Sequence, residues 1–335
     1  MLTIEKPYLI FLGDTDSQFA KTASGVAHWC PEDCVGQQRL PGCAVDLGLP
    51  DLGPEAAYGA GARTLLIGIA PRGGRLPRHW LPSLVQALEA GLDIASGLHD
   101  RLTGFPELAE AAARLGRRLH DVRHPSSDLP VATGAPRSGH RALMIGTDCA
   151  VGKKFSALAI WREMKDRGMD ADFVATGQTG ILISGQGVAL DAVPGDFIAG
   201  CAEAMTPDAD PDHWFIVEGQ ATVLHPTFAA VTLGLLHGSQ PQQLILCHEA
   251  GRREVKGLPG RRLPSLTDSL SAHLAAGRVT SPNIRGAGVS VNTAFLSEQE
   301  ALDALKAAED ETGLPAADPI RFGAGPLVDA LLAPN

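Results

Sequence analysis

One nine-residue run constrains this chain more than anything else in it: Gly146-Thr147-Asp148-Cys149-Ala150-Val151-Gly152-Lys153-Lys154. An apolar run, Arg141–Ile145, precedes it and reads as a buried strand; Phe155–Arg167 follows, with apolar residues at helical spacing. Strand, glycine-rich turn, lysine and helix in that order describe a P-loop. Glycines let the backbone curl until consecutive N–H groups face one anion, the helix N-terminus adds partial positive charge, and Lys153 adds a full one. A plain strand-to-helix turn that happens to contain Gly-Lys would explain the letters, but not their order. A unit of this kind needs a parallel sheet to sit on, so the fold class follows from it.

The remainder of the chain alternates in the same way. Tyr8–Leu12, Thr64–Ala70, Ala171–Ala175, Trp214–Val217, Gln243–Cys247 and Gly286–Val291 read as strands. Leu81–Ala90, Leu108–Leu119 and Glu298–Thr312 read as helices. Such alternation indicates α/β architecture with mostly parallel sheets. A chain of 335 residues suits two domains, and the segment His124–His140, dense in Pro, Ser and Gly, is the natural boundary. The expected organisation is an N-terminal Rossmann-like α/β domain over 1–135 and a P-loop-containing α/β domain over 136–335.

A formal net charge of −10 argues against nucleic acid or an anionic membrane as a partner, since both reward a basic face. The N-terminal apolar run is too short for a signal-peptide core, and nothing approaches the roughly 20 apolar residues of a membrane helix, so a soluble cytoplasmic protein is expected. A homo-oligomer that binds small molecules is the expected state. The six cysteines are scattered; Cys30, Cys34 and Cys43 cluster without a Cys-x-x-Cys pair or a nearby fourth ligand, which favours ordinary thiols over zinc. No metal is expected.

One departure in the loop is informative. The residue after the P-loop lysine is normally Ser or Thr, whose hydroxyl binds Mg²⁺ beside a nucleoside triphosphate. Here Lys154 stands in its place, and Ser156 comes two positions late. A second ammonium suits a metal-free phosphate or diphosphate better than Mg-ATP.

Ligands of such sheets gather at the carboxyl ends of strands. There the chain carries Glu218, Gln220 and His225 in WFIVEGQATVLHP, and Gln178 in ATGQTGILISGQG. LILCHEAGRR adds His248, Glu249, Arg252 and Arg253. Glu218, directly after a buried strand, is the first candidate for a general base, with His225 second and His248 a further alternative. Arg252 is a candidate clamp for a substrate carboxylate. Near the N-terminus, Lys21 and Thr22 follow the first strand together with Asp14 and Asp16; they could bind a second anion or simply start a helix.

GTDCAVGKK with the later VEGQ resembles the loop and VEG segment of dethiobiotin synthetase-like P-loop proteins. A wider set of motifs resembles a closer family: AKTASG, CVGQQRLPGCAVDLGLPD, ATGQTGILISGQG, VEGQATVLHP, LGLLHGSQP and LILCHEAGR. Together they are similar to the D-glutamate N-acetyltransferase family, and the resemblance spans nearly the whole chain. It implies acetyl transfer from acetyl-CoA to the amine of a D-amino acid, with Gly146–Lys154 gripping CoA phosphates. Glu218 or His225 would be the base, and Lys21, Thr22, Gln178, Gln220 and Arg252 would stand around the acceptor. The competing expectations are an Mg-ATP-dependent kinase or carboxylate–amine ligase, in which Glu218 would hold Mg²⁺, and a non-catalytic nucleotide sensor.

Overall fold

Strands buried on both faces of a parallel sheet must be apolar throughout rather than alternating, and the runs picked out above behave that way. The computed structural model describes residues 2–125 and 128–334. They form two compact units, residues 1–127 with 177–192 and residues 128–176 with 193–335.

The chain opens with β1 (Leu2–Thr3) and then β2 (Tyr8–Gly13), every residue of which is buried. It continues through α1 (Lys21–Trp29), β3 (Cys34–Arg39), α2 (Pro54–Gly59), β4 (Thr64–Ile67), α3 (Leu81–Glu89), β5 (Asp93–Ser96), α4 (Pro106–Leu115) and β6 (Leu119–Asp121). The larger strands make one parallel sheet in the order β3-β2-β4-β5-β6. Leu108–Leu119, read from sequence as one helix, is thus a shorter helix that stops at the left-handed Gly116 and then a strand. Glycine takes that backbone conformation without steric cost, which ends the helix there.

The second sheet starts at β7 (His140–Gly146), followed by α5 (Lys153–Asp166) and β8 (Ala171–Val174). The chain then leaves this unit. Residues 177–192 supply α6 (Gln178–Ser184) and β9 (Gln186–Gly187) to the first unit, where β9 pairs antiparallel with β1. It returns with α7 (Gly195–Met205), β10 (Trp214–Val217), α8 (Ala229–Ser239), β11 (Gln243–Glu249), α9 (Leu266–Gly277), β12 (Arg285–Asn292), α10 (Glu298–Thr312), β13 (Ala316–Ala317) and α11 (Gly325–Leu332). This sheet is parallel throughout, in the order β13-β12-β11-β7-β10-β8.

The strand order positions the site. The first strand of the unit, β7, lies between β10 and β11, and successive strands depart from it in opposite directions. A crevice opens at such a reversal beyond the carboxyl ends of the strands. In register, Cys247 of β11 lies opposite Gly146 and Val217 of β10 opposite Leu143. The P-loop is therefore flanked by Glu218 on one side and by His248 and Glu249 on the other.

Candidate functional site

The loop between β7 and α5 is held from inside. Gly152 has φ +107°, a left-handed backbone that a side chain would strain, and it turns the chain into α5. Lys153, the first residue of α5, is buried and donates from Nζ to the carbonyl of Asp148 at 2.6 Å. Burial pulls its pKa below the ordinary lysine value, with the thiols Cys247 and Cys149 and the carboxylate of Asp148 opposing.

Asp148, fully buried, organises the rim. Its Oδ1 accepts from the Cys149 N–H at 2.7 Å; its Oδ2 accepts from the Lys256 N–H at 2.7 Å and from Arg252 Nη1 at 3.2 Å. Arg252 also donates to the carbonyls of Cys149 and Ala150 and, through Nε and Nη2, to both oxygens of Glu249. All five of its N–H groups can be accounted for by these acceptors. The residue put forward as a carboxylate clamp is, in this geometry, a brace holding β11 to the loop.

On the other flank, Glu218 is buried, and its Oε2 accepts from the Thr176 N–H at 3.0 Å. Thr176 Oγ1 donates back to the Glu218 carbonyl at 2.8 Å, and Gln220 Nε2 donates to the same hydroxyl at 3.0 Å. Lys154 turns inward: burial lowers its pKa, and the nearby charge of Glu218 partly restores it. Ser156 does not replace the missing loop hydroxyl, because it bonds the Gly152 carbonyl and Ser290 Oγ. Gly219 is required by packing, since a Cβ there would sit 1.5 Å from the Met144 carbonyl.

His225 is buried, and its Nδ1 accepts from the N–H groups of Thr227 and Phe228 at 3.1 and 3.2 Å. A nitrogen that accepts twice carries no proton, so the proton of the neutral ring is on Nε2. Nε2 is buried, has no hydrogen-bond partner, and lies 3.8 Å from Asp148 Oδ1. His225 is consequently poised to donate, which disfavours it as a base. The same tautomer bears on metal binding. Ligand atoms of Asp148, Cys149 and His225 lie within 4.8 Å of one another, but the lone pair a cation needs is absent from Nε2.

Two of the cavities among the described residues of this unit border the loop and the segment after β11. One of about 270 Å³ is walled by Thr147, Asp148, His225, Val255, Arg261 and Arg262 among others. A larger one of about 660 Å³ is reached from His248 and Arg252 and shares Arg262, Leu263 and Pro264 with the first. The structure thus brings together Gly146, Thr147, Asp148, Cys149, Ala150, Val151, Gly152, Lys153, Lys154, Glu218, Gln220, His225 and Arg252. Lys21, Thr22 and Gln178 belong to the first unit. Lys21 begins α1 and is exposed, and Gln178 accepts a hydrogen bond from Arg123. Sequence reasoning missed Thr176, Lys256, Arg261 and Arg262; the adjacent arginines were visible only as a charged loop.

Residues 130–328 match a family model described as a domain of unknown function, DUF1611, P-loop domain. Residues 38–125 match its partner, described as a Rossmann-like domain. The expected pairing of fold types holds. A protein from Tritonibacter scottomollicae, named D-glutamate N-acetyltransferase, is 51% identical over 98% of this chain and 99% of its own length. One from a Pseudoalteromonas species with the same name is 43% identical over 99% of each chain. The chain belongs to the D-glutamate N-acetyltransferase family. A crystal structure of a DUF1611 family protein from Anabaena variabilis, 34% identical, superposes with a TM-score of 0.82 over 98% of this chain and 99% of its own. Family membership therefore extends over both units.

Proposed function

We propose that this protein transfers the acetyl group of acetyl-CoA to the amine of D-glutamate. The observation that carries the reading is the full-length kinship with two relatives that bear the name of this activity. The site supports it. A buried lysine and a glycine-turned loop suit a phosphate of the donor, and Lys154 stands where a Mg-ATP site needs a hydroxyl. This is the reason to prefer acetyl transfer over ATP chemistry.

In the reaction, Glu218 takes a proton from the substrate ammonium, freeing the nitrogen lone pair. The nitrogen attacks the thioester carbonyl carbon, the N–C bond forms, the C–S bond breaks, and the second nitrogen proton passes to the leaving sulfur, so that CoA departs as the thiol. Lys154 lies close enough to Glu218 for the two charges to interact. His225 acts as a donor from Nε2 and not as a second base. A reaction fed by acetyl-CoA belongs in the cytoplasm.

The test is a panel of D- and L-amino acids with acetyl-CoA, read by a thiol-reactive dye, beside an Mg-ATP turnover assay. Thiol release with D-glutamate is expected. Turnover of Mg-ATP with no thiol release for any amino acid would overturn the proposal.

A further inference from the structure

The cavity of about 270 Å³ is too small to enclose a whole CoA and has a definite charge pattern. Two exposed arginines, Arg261 and Arg262, line it, and Val255 and Leu263 add apolar wall. Asp148, also in the wall, is fully buried and held by Arg252 and two backbone N–H groups. His225 Nε2, a buried N–H donor with no hydrogen-bond partner, lies 3.8 Å from Asp148 Oδ1. A buried donor left unpaired costs free energy unless a ligand or water completes it, so it marks the place where a polar ligand oxygen is accommodated.

A small molecule complementary to this arrangement has two anions and a short apolar spacer. A dicarboxylate has that composition. We propose that this cavity is the acceptor pocket and takes D-glutamate or a dicarboxylate of similar length. The methylenes lie against Val255 and Leu263, and the carboxylates are shared among Arg261, Arg262 and His225 Nε2. Arg252 has no part in holding the acceptor, because Asp148, Glu249 and the loop carbonyls engage it.

This pocket rests on the acetyltransferase reading, and the experiment separates the two. Steady-state KM values for D-glutamate and for acetyl-CoA are measured on the wild type, Arg261→Gln and Arg262→Gln, with D-2-aminobutyrate as an acceptor lacking the distal carboxylate. At least one variant should raise KM for D-glutamate by about tenfold or more while moving KM for acetyl-CoA less than about twofold. That variant should also narrow the preference for D-glutamate over D-2-aminobutyrate. His225→Gln, which keeps an N–H donor, should disturb KM for D-glutamate less than His225→Ala. If both arginine variants keep the wild-type KM for D-glutamate, or raise only that for acetyl-CoA, the pocket is wrong and the activity stands. A wild-type protein that releases no thiol with D-glutamate defeats the activity itself.

Discussion

Each unit begins its parallel sheet with a buried strand, and the loop that follows is the place to compare them. β2 ends at Gly13, which packs against the Trp80 ring. Asp14 then accepts from Trp80 Nε1 at 2.8 Å and lies 2.9 Å from His79 Nε2, with its side chain 38% exposed. Lys21, which follows, is exposed. After β7, Asp148 and Lys153 are both buried, and Arg252 reaches across from the segment after β11 to pair with the carboxylate. The same step of the fold is thus completed once with solvated charges and once with desolvated ones. Folding alone does not require the second solution, since burying charge costs several kcal/mol per ion before partners offset it. The contrast supports the second unit as the seat of the proposed chemistry.

The strongest way to break that contrast is Glu218→Gln, which preserves the bond to the Thr176 N–H but cannot accept a proton. Turnover should fall by roughly 10²–10⁴ with the acetyl-CoA dissociation constant little changed; unaltered turnover removes Glu218 as the base. Next comes Asp148→Asn. Uncoupling a buried ion pair should cost about 3 kcal/mol of unfolding free energy in urea, whereas Asp14→Asn should cost under about 1 kcal/mol because water screens that site. Equal losses would erase the difference between the two loops.

A comparable effect is expected from pH. His273 is fully buried, and burial drops its pKa to about 4 from 6.5, although the bond to Ser269 opposes the shift. Above pH 6.5 the ring is neutral folded or unfolded, and its full contribution to stability is present. Between 6.5 and 4 only the unfolded chain takes the proton, so stability falls by about 3 kcal/mol across that window. Urea midpoints at pH 7 and pH 5 should show the loss, and His273→Gln should reduce it. This histidine accepts from the Val223 N–H and so steadies the segment carrying His225.

Lys153→Ala should weaken acetyl-CoA binding by roughly ten- to a hundredfold, measured by calorimetry. An unchanged constant would remove the phosphate from the loop. The smallest effect is expected in the first unit: Lys21→Ala should alter either KM by less than about twofold, and a larger rise for D-glutamate would return the acceptor to that side.

Much of this was legible because parallel strands write themselves as unbroken apolar runs. Trp214–Val217 is found where the sequence puts it. Glu298–Thr312 is fixed at its start by Ser297 and Glu300, which cap each other's backbone N–H groups. By contrast, Cys34–Arg39 and Asp93–Ser96 were missed. Both are short and polar, and their interior polar groups are satisfied by distant partners: Gln37 bonds Asp46 and the Leu47 N–H, and Asp93 bonds Arg118. The helices α7 and α8 were obscured by glycines such as Gly200 and Gly238, which lower helix propensity but allow close backbone approach. At the site, the loop's letters were readable, whereas the role of Asp148 was not. Its partners Arg252 and Lys256 lie 104 and 108 residues further on. Local pattern carries no trace of such pairings.

The return of residues 177–192 to the first unit has a consequence for how the gene can be cut. A fragment ending near residue 127 keeps the five-stranded sheet but lacks α6 and the strand that pairs with β1. A fragment starting at residue 128 carries those sixteen residues away from the neighbours they pack on. The two halves are separable as architectures but not as transplantable modules. A functional exchange of one unit between relatives would have to move two stretches of coding sequence together instead of one.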